Sequence, residues 1–136
     1  MTDGQDLEKK ALRRQLKRAL KAMAPQSRAA QSAAINLQIQ EMWEGGSVLL
    51  YAALPNEVNL DASIRAAVKQ YGSCVLPRVD GSTLSLHRIS TPESQLVVSA
   101  YGIREPIPST PLVSPASLTT AIIPGVGFTT AGGRLG

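Results

Sequence analysis

Three parts of the chain combine residue types and spacings that could bind a phosphorylated or polar ligand. The first is the glycine-rich segment IIPGVGFTTAGGRLG, residues 122–136, which begins with an apolar run. Glycines leave backbone N–H groups free to approach a phosphate closely, as they do in the loops that cradle nucleotides. The segment departs from the pattern G-x-G-x-x-G, and no lysine follows in P-loop register. By itself, therefore, it is better interpreted as a flexible turn.

The second part is a basic segment near the N-terminus, where half of the 14 Lys and Arg residues lie between Lys9 and Lys21. At about 100° per residue, Lys9 and Arg13 lie at the edge of a helical stripe of leucines, from which long side chains can lean over the protein body. We therefore expect these two to be phosphate ligands, although packing of their stems explains the placement equally well. Four cations lie opposite the stripe and are expected to form a solvated face: Lys10, Arg14, Lys17 and Lys21.

The third part is Glu57, which follows the apolar run SVLLYAAL, residues 47–54. In sheets with parallel strands, ligands bind beyond the carboxyl ends of the strands, and Glu57 comes soon after such an end. An ionised carboxylate only accepts hydrogen bonds, so it suits ligand N–H groups. A solvated surface glutamate is the alternative. Pro77-Arg78 also follows a predicted strand and could reach the same edge.

The elements that must position these residues alternate along the chain. Apolar periodicity and breakers predict helices over residues 6–23, 25–44 and 61–71, with Gly45-Gly46 ending the second. Strands are predicted over residues 47–54, 73–77, 83–89 and 119–124, the second and third joined by an Asp80-Gly81 turn and the last one buried. Residues 90–117 are predicted to be a long surface connection. The order predicts the α/β class, with a mostly parallel sheet in one domain over residues 1–136.

Composition narrows the class of protein. A hydrophobic fraction of 43% in 136 residues suffices for one core, and the net charge is +4. The lone cysteine, Cys74, favours a reducing compartment and is predicted to be a core residue. Without a signal sequence or a run of ~20 apolar residues, we expect a cytoplasmic monomer that does not bind membranes. Few aromatics argue against nucleic-acid binding. Trp43 is predicted to pack at a helix end and His87 to be half-exposed.

Five segments now stand in a recognisable order: KKALRRQL (9–16), YAALPNEV (51–58), CVLPRV (74–79), YGIREP (101–106) and IIPGVGFTTAGGRLG (122–136). Together they closely resemble the 5-formyltetrahydrofolate cyclo-ligase family, also called methenyltetrahydrofolate synthetase. The resemblance implies a Rossmann-like three-layer α/β/α fold preceded by two N-terminal helices. It also implies ATP- and Mg²⁺-dependent closure of 5-formyltetrahydrofolate to 5,10-methenyltetrahydrofolate: ATP phosphorylates the formyl oxygen, N10 attacks the activated carbon and phosphate departs.

The resemblance also assigns residues to ligands. Those implied to bind ATP are Lys9, Arg13, Arg134, Leu135 and Gly136, and those implied to bind the folate are Glu57 and Ala52. The family pattern continues after R-L-G with a Y-G-x-G-Y-Y-D-like segment that carries a Mg²⁺-binding aspartate, so we expect a domain that is incomplete at its C-terminus and contains no metal ligand. For such a chain we expect little activity and association through an uncovered sheet edge. The alternative function is therefore an inactive remnant or a folate-binding module.

Overall fold

The computed structural model describes residues 2–45 and 47–136. Its helices are α1 (Thr2–Ala22), α2 (Pro25–Met42), α3 (Asp61–Tyr71) and the short α4 (Pro92–Gln95), and a single 3₁₀ turn spans Pro115–Ser117. Its strands are β1 (Val48–Leu49), β2 (Cys74–Asp80), β3 (Thr83–Ile89), β4 (Leu96–Val98), β5 (Arg104–Pro106), β6 (Thr120–Ala121), β7 (Gly127–Phe128) and β8 (Arg134–Leu135). The three long helices begin and end within a few residues of their predicted bounds. Gly46, one of the two predicted helix breakers after α2, lies outside the described residues.

The central sheet has four strands in the order β3-β2-β1-β6. Strand β1 pairs in parallel with both β2 and β6, whereas β2 and β3 form an antiparallel hairpin. The predicted turn at Asp80-Gly81 is confirmed, because Gly81 has a positive φ of 63° that few other residues adopt. The α/β class with a mostly parallel sheet is therefore confirmed.

One apolar core joins α2 and α3 to the sheet. Ile39 of α2 and Ile64 of α3 belong to the same buried cluster as Val48, Leu50 and Leu76 of the strand region. Trp43 follows α2 and packs edge-on against Tyr71 at the end of α3, with ring centroids 5.9 Å apart. Cys74 is fully buried within this cluster, so its prediction as a core residue is confirmed.

A buried amide holds the two core helices together. The side chain of Asn36 donates to the carbonyl oxygens of Ser32 and Asn59, each at 2.7 Å, and accepts from the backbone N–H of Ser63 at 3.2 Å. Because a buried polar group must be paired to be tolerated, this side chain fixes α2, α3 and the segment between β1 and α3 in one arrangement. That segment is the one that carries Glu57.

The sheet differs from the prediction at three places. Strand β1 is limited to Val48–Leu49, although Leu50 still donates its N–H to Val75 at 2.9 Å. Strand β2 is longer than predicted and extends through Pro77-Arg78, so these residues lie inside a strand rather than beyond its end. Strand β6 was predicted to be buried but is half-buried to exposed, because it forms the edge of the described sheet.

The long connection of residues 90–117 is more ordered than predicted. It contains α4 and the hairpin of β4 and β5, which meets β2 where Glu105 accepts from the N–H of Val79 at 2.6 Å. Its later part covers β3, and this changes the environment of His87. That side chain is only 3% exposed, with Nε2 hydrogen-bonded to Ser85 Oγ and Nδ1 to Thr110. The prediction from strand alternation that His87 is half-exposed is therefore wrong.

The glycine-rich tail folds back on itself. Strands β7 and β8 pair antiparallel, and the turn between them is closed by Thr129, whose Oγ1 accepts from the N–H of Gly133 at 2.7 Å. Gly132 in this turn has a φ of 94°. The turn predicted for this segment is present at Thr130-Ala131, and the structure adds a β-hairpin around it.

Candidate functional site

A cleft of about 1050 Å³ lies where α1, the loop after β1 and the tail meet. Its lining residues from α1 are Arg14, Lys17, Arg18, Leu20 and Lys21, those from the loop are Leu54, Pro55, Asn56, Glu57 and Val58, and those from the tail include Pro124, Gly125, Val126, Phe128, Arg134 and Gly136. All three sequence segments singled out for chemistry thus meet in one cavity, although Lys9 and Arg13 of the basic segment are not among its described lining residues. The volume is in the range of small-molecule and cofactor sites.

The loop that carries Glu57 is a tight turn held by its own hydrogen bonds. The carboxylate Oε1 of Glu57 accepts from the N–H of Leu54 at 2.8 Å, and the N–H of Glu57 donates to the carbonyl of Leu54 at 3.0 Å. The side chain is half-buried, so a fixed carboxylate faces the cleft with acceptor capacity left for a ligand.

Two buried residues precede this loop in the chain. Burial raises the pKa of Tyr51 to about 12, and the negative charge of nearby Glu57 adds to the rise. The phenol is therefore neutral at ordinary pH and can donate a hydrogen bond. Ala52, which the resemblance assigns to the folate pocket, is buried at 6% exposure in the segment that follows β1, and it is not among the described lining residues of the cleft. Its assignment as a substrate contact stays a prediction.

The part of the cleft that α1 lines is strongly cationic. Arg14, Lys17, Arg18 and Lys21 are all exposed and all border the cleft. Arg14, Lys17 and Lys21 were expected to form a plain solvated face, and that expectation needs correction because their face of α1 borders the cavity. Together with Arg134 they make a positive field that favours an anionic ligand.

The helix is seated on the tail at a glycine. A Cβ atom on Gly127 would approach Leu16 Cδ1 to 2.6 Å, so α1 packs against β7 where a side chain is missing. This contact fixes the rotation of α1. It points the Leu16 side at the tail and leaves the neighbouring basic flank along the cleft.

Arg13 connects α1 to the residues R-L-G. Its Nε donates to the carbonyl oxygen of Gly136 at 2.7 Å, across a separation of 123 residues. Two residues that the resemblance assigns to ATP are thus in contact. Lys9, one turn earlier, is exposed and is not among the described residues that line the cleft. The assignment of ATP to Lys9 and Arg13 stays a prediction.

Arg134 is held in place by contacts within the tail, which the glycines around it did not predict. Its Nε donates to the carbonyl of Pro124 at 2.8 Å, and it pairs with Phe128 across the β7–β8 hairpin. Leu135, its neighbour in the assigned R-L-G, is half-buried opposite Gly127.

Among residues 2–45 and 47–136, no three His, Cys, Asp or Glu side chains come together as a metal site. No helix in that part of the chain combines the length and apolarity that a membrane crossing requires.

Sequence reasoning missed two contributors to this site. Phe128, which is 66% exposed, presents an aromatic ring to the cleft. Arg28 hydrogen-bonds to the cleft lining from outside the cavity. An exposed aromatic in a glycine-rich segment was a readable signal for Phe128. Nothing in the spacing of Arg28 distinguished it from other surface arginines.

Comparison with known families gives a match over nearly the whole chain. The model of the 5-formyltetrahydrofolate cyclo-ligase family matches residues 5–136. The chain belongs to this family. The resemblance drawn from the five sequence segments is thereby confirmed. A search of curated proteins gave no match.

Solved structures agree with the family. The NMR structure of Aquifex aeolicus 5,10-methenyltetrahydrofolate synthetase is 29% identical and superposes with a TM-score of 0.84, covering 94% of this chain and 66% of that one. A 5,10-methenyltetrahydrofolate synthetase from Mycoplasma pneumoniae is 22% identical, with a TM-score of 0.68 over 94% of this chain and 70% of that one. The second likeness shows the fold alone. The chain spans about two thirds of the length of the Aquifex protein.

Proposed function

We propose that this chain carries the substrate cleft of an ATP-dependent 5-formyltetrahydrofolate cyclo-ligase, which converts 5-formyltetrahydrofolate to 5,10-methenyltetrahydrofolate with release of ADP and phosphate. Family membership supports the reaction class. The observation that carries the proposal is the cleft itself, whose lining combines a fixed carboxylate, Glu57, with Arg and Lys side chains of α1. One wall suits the N–H groups of a reduced pterin, and the other suits phosphate.

The two walls divide the work. Glu57 would hold the folate by accepting its N–H groups, and Ala52, which is buried and not among the described lining residues of the cleft, would contribute to the folate pocket through its backbone. Lys9, Arg13 and the segment Arg134–Gly136 would hold the ATP phosphates; of these, Arg134 and Gly136 line the cleft, whereas Lys9 and Arg13 lie outside its described lining. The hydrogen bond from Arg13 to Gly136 supports this grouping, because it brings the two parts of the proposed nucleotide site together.

The chemistry asks the protein for position and charge more than for covalent participation. A formamide carbon is a poor electrophile, so its oxygen must become a leaving group, which ATP supplies by phosphorylating it. Cations near the transferring phosphoryl group stabilise the charge that develops there. We assign no Mg²⁺ ligand among the described residues, since the family pattern carries its Mg²⁺-binding aspartate after R-L-G. Mg²⁺ in kinase and ATPase sites is held largely by substrate phosphates with one or two carboxylates, so it would enter with ATP.

We further propose that the protein works as a cytoplasmic monomer on these small molecules, without nucleic-acid or membrane partners. The free, fully buried Cys74 is compatible with a reducing compartment.

The test is formation of 5,10-methenyltetrahydrofolate, followed by its near-ultraviolet absorbance with ATP and Mg²⁺ present. Turnover that needs both nucleotide and metal supports the cyclo-ligase. Calorimetric titration with each ligand separates the alternative: a folate-binding module takes up 5-formyltetrahydrofolate and ignores ATP. A chain that binds neither ligand would contradict both functions.

A further inference from the structure

The guanidinium group of Arg28 joins the two walls of the cleft. Its Nη1 donates to the carbonyl of Pro55 at 3.1 Å and to Oδ1 of Asn56 at 3.3 Å, while Nη2 donates to the carbonyl of Leu20. Leu20, Pro55 and Asn56 all line the cleft, but Arg28 is not among its described lining residues. The side chain therefore fastens the end of α1 to the loop of Glu57 from outside the cavity.

The shape of the side chain matters as much as its charge. A guanidinium presents its donors in a planar fork, so it can serve acceptors on two different elements at once, whereas a lysine offers three donors from one point. Arg28 uses both Nη atoms in this way, and its Nε is buried without a partner among the described residues. A buried donor that is left unpaired costs free energy. The unpaired Nε therefore indicates that the hydrogen bonds of the two Nη groups determine the position of this side chain.

The position of Arg28 relative to α1 strengthens the joint. Leu20 lies in the last turn of α1, which ends at Ala22 and where carbonyl groups lose their usual helical partners; its carbonyl accepts from the N–H of Met23 at 3.3 Å and retains acceptor capacity for Arg28. A cation there also interacts favourably with the negative end of the helix dipole. The guanidinium of Arg28 thus contacts both the C-terminal end of α1 and the loop that carries Glu57.

We propose that Arg28 is a positioning residue: by tying the Leu54–Glu57 turn to the end of α1, it sets where the Glu57 carboxylate stands relative to the cationic wall. It touches neither substrate, and its effect on the reaction passes through Glu57. For its consequence in folate binding, the inference rests on the proposed function. The geometric part stands without it and is tested separately.

Hydrogen exchange measured by mass spectrometry tests the geometric part without any ligand. Arg28→Ala should speed exchange of the segment 52–58 by at least about tenfold, as expected from losing hydrogen bonds to a charged donor. The hairpin segment 83–89 should stay within about twofold. Arg65→Ala, which removes an exposed arginine of α3, should change neither segment. Arg28→Lys should give an intermediate rise and serves as the measured variant if Arg28→Ala fails to fold. Unchanged exchange in 52–58, or an equal rise in 83–89, would overturn the proposal.

A double-mutant cycle tests the functional part by calorimetry with 5-formyltetrahydrofolate. Arg28→Ala should weaken binding about fivefold or more in the parent chain, yet should add almost nothing in the Glu57→Gln background, because residues that act through one group are not additive. Arg28→Lys should recover part of the loss. Additive losses would show that Arg28 does not act through Glu57 and would overturn the proposal. If the parent chain binds no folate, the proposed function fails, whereas the exchange experiment still decides the role of Arg28.

Discussion

The Nε of Arg13 donates a hydrogen bond of 2.7 Å to the carbonyl oxygen of Gly136, although the two residues are 123 positions apart. This contact closes the N-terminal helix onto the glycine-rich tail. It places the cation beside the R-L-G residues that the family resemblance assigns to the nucleotide. If the cleft binds ATP, the two residues form one phosphate-binding unit.

The first prediction concerns this unit. Arg13→Ala should weaken ATP binding about tenfold, because a charged hydrogen bond to a ligand contributes ~1.5–3 kcal/mol. Lys10→Ala is the matched control, since Lys10 is an exposed cation of the same helix that, unlike Arg13, has no hydrogen bond to the tail among the described residues. Titration calorimetry with ATP and Mg²⁺ measures both. Equal losses at the two positions would mean that only the overall positive charge matters.

The second prediction concerns the phenol of Tyr51. Burial and the charge of Glu57 raise its pKa to about 12, so Glu57→Gln should lower that pKa while leaving it above the ordinary 10.0, because burial is the larger cause. ¹³C NMR titration of the tyrosine rings measures the change, and Glu41→Gln, at an exposed position of α2, should have no effect. A Tyr51 pKa that ignores Glu57→Gln would contradict the placement of this carboxylate.

The same shift has a consequence for stability. A phenol whose pKa is higher in the folded state than in the unfolded state favours folding in its neutral form. Its contribution is complete below pH 10 and is lost as the pH rises from 10 toward 12. Tyr51→Phe cannot ionise, so its unfolding free energy should fall less steeply over that interval in urea titrations. An identical pH dependence for parent and variant would count against the buried phenol.

The third prediction concerns Cys74. Burial raises the pKa of its thiol to about 12, and the side chain is fully buried, so the reactive thiolate should be both scarce and inaccessible. A thiol reagent at pH 8 should modify the native protein at least about a hundredfold more slowly than the urea-unfolded protein. Rapid labelling of the native chain would contradict this prediction, because it would show that the start of β2 opens readily.

The fourth prediction concerns the buried amide of Asn36. Asn36→Ala leaves several polar groups of α2, α3 and the intervening segment without partners, so the unfolding free energy should fall by about 2–4 kcal/mol. Gln38→Ala, at an exposed position of the same helix, should change it by less than about 0.5 kcal/mol. Urea denaturation measures both. Similar values for the two variants would deny Asn36 its structural role.

Much of the fold could be predicted from local signals. The bounds of α3 and β3 and the Asp80-Gly81 turn follow from periodicity and turn chemistry, and the structure confirms them. The burial of His87 could not be predicted, because it depends on a segment more than twenty residues away that folds over β3. The tail hairpin was missed for a related reason: its strands have only two residues each, too few to show alternation.

The site was predicted unevenly. Glu57 lines the cleft in the segment that follows β1, as expected from the rule that ligands bind beyond the ends of parallel strands. Its role as a folate ligand stays a prediction. The basic flank of α1 was assigned to solvent because it lies opposite the leucine stripe, whereas the structure places much of it along the cleft. The helix is instead seated through Leu16 on Gly127, and a contact between residues so far apart leaves no mark in the spacing of either segment.

The most direct test of the whole account is the affinity of 5-formyltetrahydrofolate for the parent chain and for Glu57→Gln, measured by calorimetry alongside ATP. Glutamine keeps one oxygen that can accept from Leu54 but loses the charge offered to the folate. The account predicts measurable binding by the parent chain, a folate affinity lower by about ten- to a hundredfold in the variant, and an ATP affinity that is nearly unchanged. Equal folate affinity in the two proteins would contradict the assignment of this cleft to the folate.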